Sequence, residues 1–371
     1  MTGKYVVSVI VLVAISLAGC SQKEQKVPLE DVGLVGSLSL DYIDEDQMKL
    51  TVAIPQYSKE AKKQTQIYSV VTELMSEGMV EIEKNSHKKV ILNQLRVVLV
   101  DEESARSGQA TKVIRSLYRN AEVANKVLVA VVKGNAEEIL RAEYPDKPAI
   151  NFYLSDLLQA KMNTAFNPNT NFHDFMYTQT NPVIDTIMPS IEGKDGLIEL
   201  NGVALFDEEK MIKILSPQDA LIIQALQGRK KIAPLYLSMN HESYGKEILL
   251  LDLIHSKVKI KSNKNFESPK VSITLKVSGT LAEYKGARER DLDKKEAIVK
   301  LEKDIDAEIK RDIGKFLEKL KELKVDPIGL SENFRMYYNG KWTTEQTKEI
   351  ISKLEWDVSV EVTIISTGTL K

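Results

Sequence analysis

Eight apolar residues, Ile298, Leu301, Ile305, Ile309, Ile313, Phe316, Leu320 and Leu323, step along the chain by three or four. That period requires one amphipathic helix of about thirty residues, with its apolar stripe turned to a core. The steps drift from a strict heptad, so the stripe suits packing on a sheet better than a coiled coil. Asp293-x-x-Glu296 resembles a capping box at its start, and Asp326-Pro327 and Gly329 stop it. Glu296–Lys300 and Asp306–Lys310 support its outer face at i,i+4. Upstream, Val271, Ile273, Leu275, Val277 and Leu281 share one parity; downstream, Trp356, Val358, Val360, Val362 and Ile364 do the same. Strand, long helix and strand define an α+β unit with the helix laid on an antiparallel sheet.

The rest of the chain alternates shorter elements. Leu38, Leu40 and Tyr42, then Met48, Leu50, Val52 and Ile54, predict a hairpin around the polar IDEDQ turn. Ile67–Ile82 carries helical spacing at Val70, Val71, Leu74 and Met75. Val90–Val100 reads as one central strand, Glu102–Arg119 as a helix, Lys126–Lys133 as a buried strand and Asn135–Glu143 as a short helix. Pro145 to Pro189 is less regular, with an Asn-rich loop at Asn163–His173. Leu197–Leu215 predicts strand, turn and strand, and Ser216-Pro217 opens a helix to about Leu226. The fold class expected is therefore mixed α/β and α+β in three small mixed-sheet domains. An N-terminal α/β domain spans 29–192, a middle domain 193–250 and a C-terminal α+β domain 251–371.

The first 28 residues follow another logic. Lys4 precedes a thirteen-residue apolar run, Tyr5–Leu17, and then Leu17-Ala18-Gly19-Cys20. The run fits a secretory signal and is well short of the ~20 residues that span a bilayer. Small Ala18 and Gly19 suit a signal peptidase, and Leu-Ala-Gly-Cys resembles the lipobox of bacterial lipoproteins. Residues 1–19 are expected to be removed as a signal peptide, with Cys20 acylated through a thioether. Cys20 is the only cysteine of the 371 residues, so no internal disulfide is open to the chain. Residues 20–28 form a polar, lipidated tether. Cleavage leaves 352 residues and moves the formal charge from −2 to −3, which favours neither nucleic acid nor an anionic surface as a partner.

A search for chemistry returns little. His87, His173, His241 and His255 are isolated, without metal-ligand spacing, and no GxSxG, Walker or GxGxxG motif occurs. Ser86-x-x-Lys89 matches S-x-x-K without its usual partner motifs and reads as a solvated turn. The acidic runs Asp101-Glu102-Glu103 and Asp207-Glu208-Glu209 end strands, where carboxylates cap helices or solvate turns. Gln94 and Arg96 are polar within an expected strand; they face solvent or contact a partner. No catalytic, cofactor-binding or metal residue is expected, and no cofactor.

Several segments, taken in order, resemble one family. A lipobox and hairpin are followed by Arg96–Gly108, then Arg119–Glu122 as an R-N-x-E turn, then Lys133-Gly134. Asn201–Phe206 with Lys210–Leu215 forms a second block. The long helix, Asp326-Pro-Ile-Gly329, Trp342 and the closing strand form a third. This order is similar to that of the Ger(x)C spore germination lipoproteins, the C subunits of nutrient germinant receptors. Ser21-Gln22 stands where that family commonly has Trp-Asp. The resemblance implies a non-enzymatic, lipid-anchored receptor subunit on the outer face of the spore inner membrane. It also implies two polytopic partners, an A-type subunit and a transporter-like B-type subunit. A lipid-anchored solute-binding protein of a transporter is the alternative, and it would require two similar lobes about a hinge.

Overall fold

The computed structural model describes Gly3 and residues 28–56, 64–159, 168, 170–241 and 243–367. Cys20, the signal peptide and nearly all of the tether lie outside these residues, as does most of the Asn163–His173 loop. In chain order the first elements are β1 (Val32–Leu34), β2 (Ser37–Tyr42), β3 (Met48–Pro55), β4 (Thr65–Thr72), α1 (Met75–Asn85), β5 (Lys89–Ile91) and β6 (Val97–Asp101). There follow α2 (Glu102–Ser107), α3 (Gln109–Tyr118), β7 (Leu128–Val132), α4 (Ala136–Arg141), α5 (Ile150–Leu158), α6 (Phe172–Thr180), β8 (Ile187–Lys194), β9 (Leu197–Asp207), β10 (Lys210–Leu215) and α7 (Pro217–Leu226). The last are β11 (Leu235–His241), β12 (Gly245–Ser262), β13 (Lys270–Lys285), α8 (Lys295–Leu323), α9 (Glu332–Arg335), α10 (Thr344–Lys353) and β14 (Glu355–Ser366).

Eight strands form the larger sheet in the order β10-β9-β8-β7-β6-β2-β3-β4. Its centre, β2-β6-β7-β8, is parallel, and both flanks are antiparallel. The two innermost strands, β6 and β7, are apolar on both faces, as a sheet covered by helices requires. Val98, Val100, Val129 and Val131 meet α2, α3 and α6 through Ala105, Ile114, Leu117, Phe172 and Phe175. Val97, Leu99, Ala130 and Val132 meet α4 and α5 through Ile139, Leu140, Ile150 and Leu154. The smaller sheet, β11-β12-β13-β14, carries α8, whose stripe from Leu301 to Leu320 is buried against it. It is antiparallel across β11, β12 and β13, whereas β14 joins β13 in parallel. A 29-residue helix, about 43 Å long, carries the chain back to the starting end of the sheet, which dictates that parallel pairing.

The described structure redraws several expected elements. Ile67–Ile82 holds the strand β4 and then α1, not one helix: its β-branched start pairs with β3. Val90–Val100 is two strands, because β5 pairs with β1 in a separate two-stranded sheet and β6 enters the large one. Gln94 and Arg96 therefore stand at the break between them. Glu102–Arg119 is cut at Gly108, which has φ +88°. The Asp293 capping box is absent; α8 starts after Lys294 with no side-chain cap. The 193–250 segment divides between the sheets, with β9 and β10 completing the large sheet and β11 opening the small one.

Gly202 lies at a bulge in β9, opposite Ser190, while Leu200 pairs with Ile191. Its φ is +145°, and a Cβ there would meet the Leu215 carbonyl oxygen at 2.0 Å. Neither the dihedral nor the contact admits a side chain without moving backbone. Gly202→Ala should therefore lower unfolding stability by about 3 kcal/mol, read from the shift of a urea unfolding midpoint.

Candidate functional site: the joint between the two sheets

Asp-Pro-Ile-Gly follows the long helix, and Asp326 is fully buried. Its carboxylate accepts the N–H groups of Gly329 (2.8 Å), Leu330 (2.9 Å) and Ser331 (2.7 Å), folding the chain back as a tight loop. Gly329 turns that loop at φ +82°. The Asp326 N–H donates to Asp185 Oδ2 at 2.5 Å, and the Asp185 N–H donates to the Asp326 carbonyl at 3.0 Å. Asp185 lies two residues before the large sheet's β8, so this reciprocal pair ties one sheet to the other. Gln227 Nε2 at the end of α7 donates to the Pro327 carbonyl at 2.8 Å.

α10 makes the second tie. Trp342 Nε1 donates to Thr347 Oγ1, which donates to the Pro182 carbonyl at 2.6 Å. Lys348 Nζ reaches Asp207 Oδ1 at 2.7 Å and Glu208 Oε1 at 3.4 Å, at the β9–β10 turn. Lys319 on α8 pairs with Asp219 on α7 at 2.7 Å. A cavity of about 230 Å³ lies beside the joint, lined among others by Arg115, Gln179, Asp185, Glu208 and Thr344. Burial, together with the neighbouring Asp326 and Asp207 charges, pushes Asp185 up to about 7, although the Asp326 N–H and Lys348 pull the other way. Burial likewise raises Asp326, against the amides that hold it.

Two further charged clusters are internal. Open α/β sheets bind ligands at the carboxyl ends of their parallel strands, but here that end is occupied by the protein itself. Asp41 is buried and accepts the N–H groups of Ala136 (2.5 Å) and Glu137 (3.0 Å), capping α4 from β2. Burial pushes Asp41 up to about 6 against those amides. Burial also works to raise Glu137, but Lys49, Ser69 and Arg141 outweigh it and hold it at about 2. In the small sheet, buried Arg288 binds Glu247 and Asp304 and lies 4.5 Å from the Tyr244 ring, while Tyr284 also donates to Glu247. None of these clusters sets a nucleophile beside a general base; each charge is spent on an amide or a counter-charge.

The residues singled out from sequence fall into place accordingly. Asp101 caps α2 through Ser104 N–H and holds Tyr42 N–H; Glu102 pairs with Arg106. Asp207 and Glu208 hold Lys348, and Glu209 holds Arg115. Ser86 ends α1 and accepts Lys88 N–H in a turn. His241 lies 3.9 Å from Asp304, and His255 contacts the Leu253 carbonyl. Among the described residues no cluster of His, Cys, Asp and Glu could hold a metal. Arg96 stacks on Phe152 at 4.7 Å. Sequence reasoning missed Asp185, Thr347, Asp41 and Arg288, whose partners are remote in the chain: Asp185 and Asp326 are 141 positions apart. Only Asp326 carried a signal, in its Asp-Pro-Ile-Gly context.

Comparison with known proteins assigns the class to which this architecture belongs. Residues 25–193 match the spore germination protein N-terminal domain, and residues 201–368 match the spore germination B3/GerAC-like C-terminal domain. The chain belongs to the Ger(x)C family of spore germination proteins. It is 27% identical over 357 residues to the spore germination protein GerQC of Bacillus cereus, covering 96% of this chain and 97% of that one. It is 21% identical to spore germination protein KC of Bacillus subtilis, covering 99% and 97%. The crystal structure of the GerBC protein superposes with a TM-score of 0.57 at 17% identity, covering 88% of this chain and 96% of that one. The mixed α/β fold is thus shared with a solved relative.

The joint makes two testable statements. Asp326→Ala strands two buried amides and one part-buried amide, the buried ones at about 1–3 kcal/mol each, so it should cost at least about 2 kcal/mol in a denaturant titration. Asp185 binds its proton more tightly folded, near pH 7, than unfolded, near 3.8. The native state then holds more protons across that window, so its stability falls as pH rises from about 4 to 7. Asp41 adds the same sign up to about 6. Asp185→Asn should flatten the thermal-midpoint profile between about pH 6 and 7, where only Asp185 of this pair still titrates.

Proposed function

We propose that this chain is the lipid-anchored, non-enzymatic subunit of a nutrient germinant receptor. It stands on the extracytoplasmic face of the spore inner membrane, tethered by acylated Cys20 after removal of residues 1–19. It serves assembly of, or signalling through, a complex with polytopic A-type and B-type subunits. The observation that carries this reading is the match of both halves of the chain to spore germination domains. No helix among the described residues is long and apolar enough to cross a membrane, which fits attachment through an N-terminal lipid. The joint supports a role in passing force or contact: an apolar cluster shared by β9, α7 and the small sheet packs the two bodies as one. The same cluster counts against a solute-binding protein, whose two lobes must be similar and free to close.

Two measurements test the proposal. Affinity isolation of the tagged protein from detergent-solubilised spore membranes should recover two polytopic proteins, and recovery of none would overturn the receptor reading. An alkyne analogue of palmitate should label the wild-type protein and fail to label Cys20→Ala. Equal labelling of the two would remove Cys20 as the anchor.

A further inference from the structure

The chain enters the large sheet at Gly36, beside Arg96: the Arg96 N–H donates to the Gly36 carbonyl at 3.0 Å, and Leu128 N–H donates to the Arg96 carbonyl at 2.8 Å. These residues mark the amino ends of β2, β6 and β7, the end from which the N-terminal tether departs. A cavity of about 540 Å³ opens there. Its lining includes the cations Arg96 and Lys126 and the neutral polar groups of Gln94, Ser155, Gln159 and Asn171, and among the described residues no carboxylate belongs to it. The Arg96 guanidinium carbon lies 4.7 Å from the centre of the Phe152 ring, a cation–π contact that leaves the guanidinium N–H donors able to bind an anion. Neither Arg96 nor Lys126 has a carboxylate partner among the described residues. Two unneutralised cations with neutral hydrogen-bonding groups around them are the chemistry of a phosphate site.

We propose that this cavity takes the phosphate of an anionic lipid headgroup. The membrane is the source because of the tether. Eight residue steps separate Cys20 from Pro28, a reach of at most about 28 Å, and Pro28 leads through β1 to the same end of the sheet. An acylated Cys20 therefore holds the cavity close to the headgroups, so that headgroup binding would turn the large sheet's amino end toward the bilayer. A single flexible tether fixes distance but not orientation; a second contact at this cavity supplies it.

The test uses vesicles and a chain starting at Ser21. The three apolar clusters draw on residues 35–364, so this chain retains the packed cores. It should float with vesicles of equal parts phosphatidylcholine and phosphatidylglycerol, and not with phosphatidylcholine alone. Arg96→Gln/Lys126→Gln should weaken flotation roughly tenfold while circular dichroism and thermal unfolding stay as in the parent. A control pair on β12 of the small sheet, Lys257→Gln/Lys259→Gln, removes equal charge outside the cavity lining and should leave flotation nearly unchanged. Equal loss in both pairs, or none in the cavity pair, overturns the proposal. Inorganic phosphate, glycerol 3-phosphate and an acidic peptide serve as soluble probes: Arg96-dependent binding of any of them without vesicle binding overturns the membrane assignment. The proposal rests on the anchored reading for bringing cavity to bilayer. Because the assayed chain lacks the anchor, its failure is distinct from a failure of Cys20 to take palmitate.

Discussion

The bulge in β9 decides which parts of this protein share a core. Ile198 and Leu200 face α4 and α5, but past the bulge Ala204 and Phe206, of the same parity, face α2, α3 and α6. One inserted residue reverses every side chain beyond it. Val203 and Leu205 are thereby turned to the face covered by α7 and the small sheet, where they join Leu251, Leu275, Ile313 and Phe316. A single strand thus contributes to all three apolar clusters. The requirement for glycine at 202 follows from its positive φ and from the closeness of Leu215 on the neighbouring strand, not from a need for flexibility.

The polar joint acts on what the bulge has brought together. Burying Asp326 costs several kcal/mol if it ionises, and three amides at roughly 1.5–3 kcal/mol each offset much of that. The net contribution to stability is small, but the geometry is strict, because each amide is local and the fourth link runs to Asp185. Lys348 and Thr347 add contacts at the far side of the same junction, to Asp207, Glu208 and Pro182. Apolar packing therefore supplies the adhesion between the two sheets and the carboxylates set their register.

How much of this was legible follows from the range of the interactions. The α8 stripe and the alternation in β13 and β14 are local periodicities, and all three elements stand where the pattern put them. The hairpin β2–β3 and the capped helix α7 are equally local. β12 was missed because its pattern breaks within the strand: Leu253 takes φ +50°, and the register with β13 shifts between Asp252 and His255. At Val70, Val71, Leu74 and Met75 the apolar spacing fits a helix as well as a strand followed by a helix, and only pairing with β3 decides. The joint was barely legible. Asp326 announced a turn, but nothing near Asp185 or Lys348 in sequence names a partner more than a hundred residues away.

The acids of α8 illustrate how the same residue type serves a different end once the fold is known. Asp306 fits an i,i+4 pair with Lys310 by sequence. In the folded chain its carboxylate instead accepts the Val362 N–H at 2.6 Å, and Glu302 accepts the Ile364 N–H at 2.8 Å. These are amides on the outer side of β14, the edge of the small sheet. An unpaired edge invites another strand, and charged side chains laid along it discourage that pairing. Burial raises Asp306, with the nearby Glu302 and Glu361 charges, against the hydrogen bond from Val362. The helix therefore does two jobs with two faces: its apolar stripe covers the sheet, and its acids close the sheet's edge.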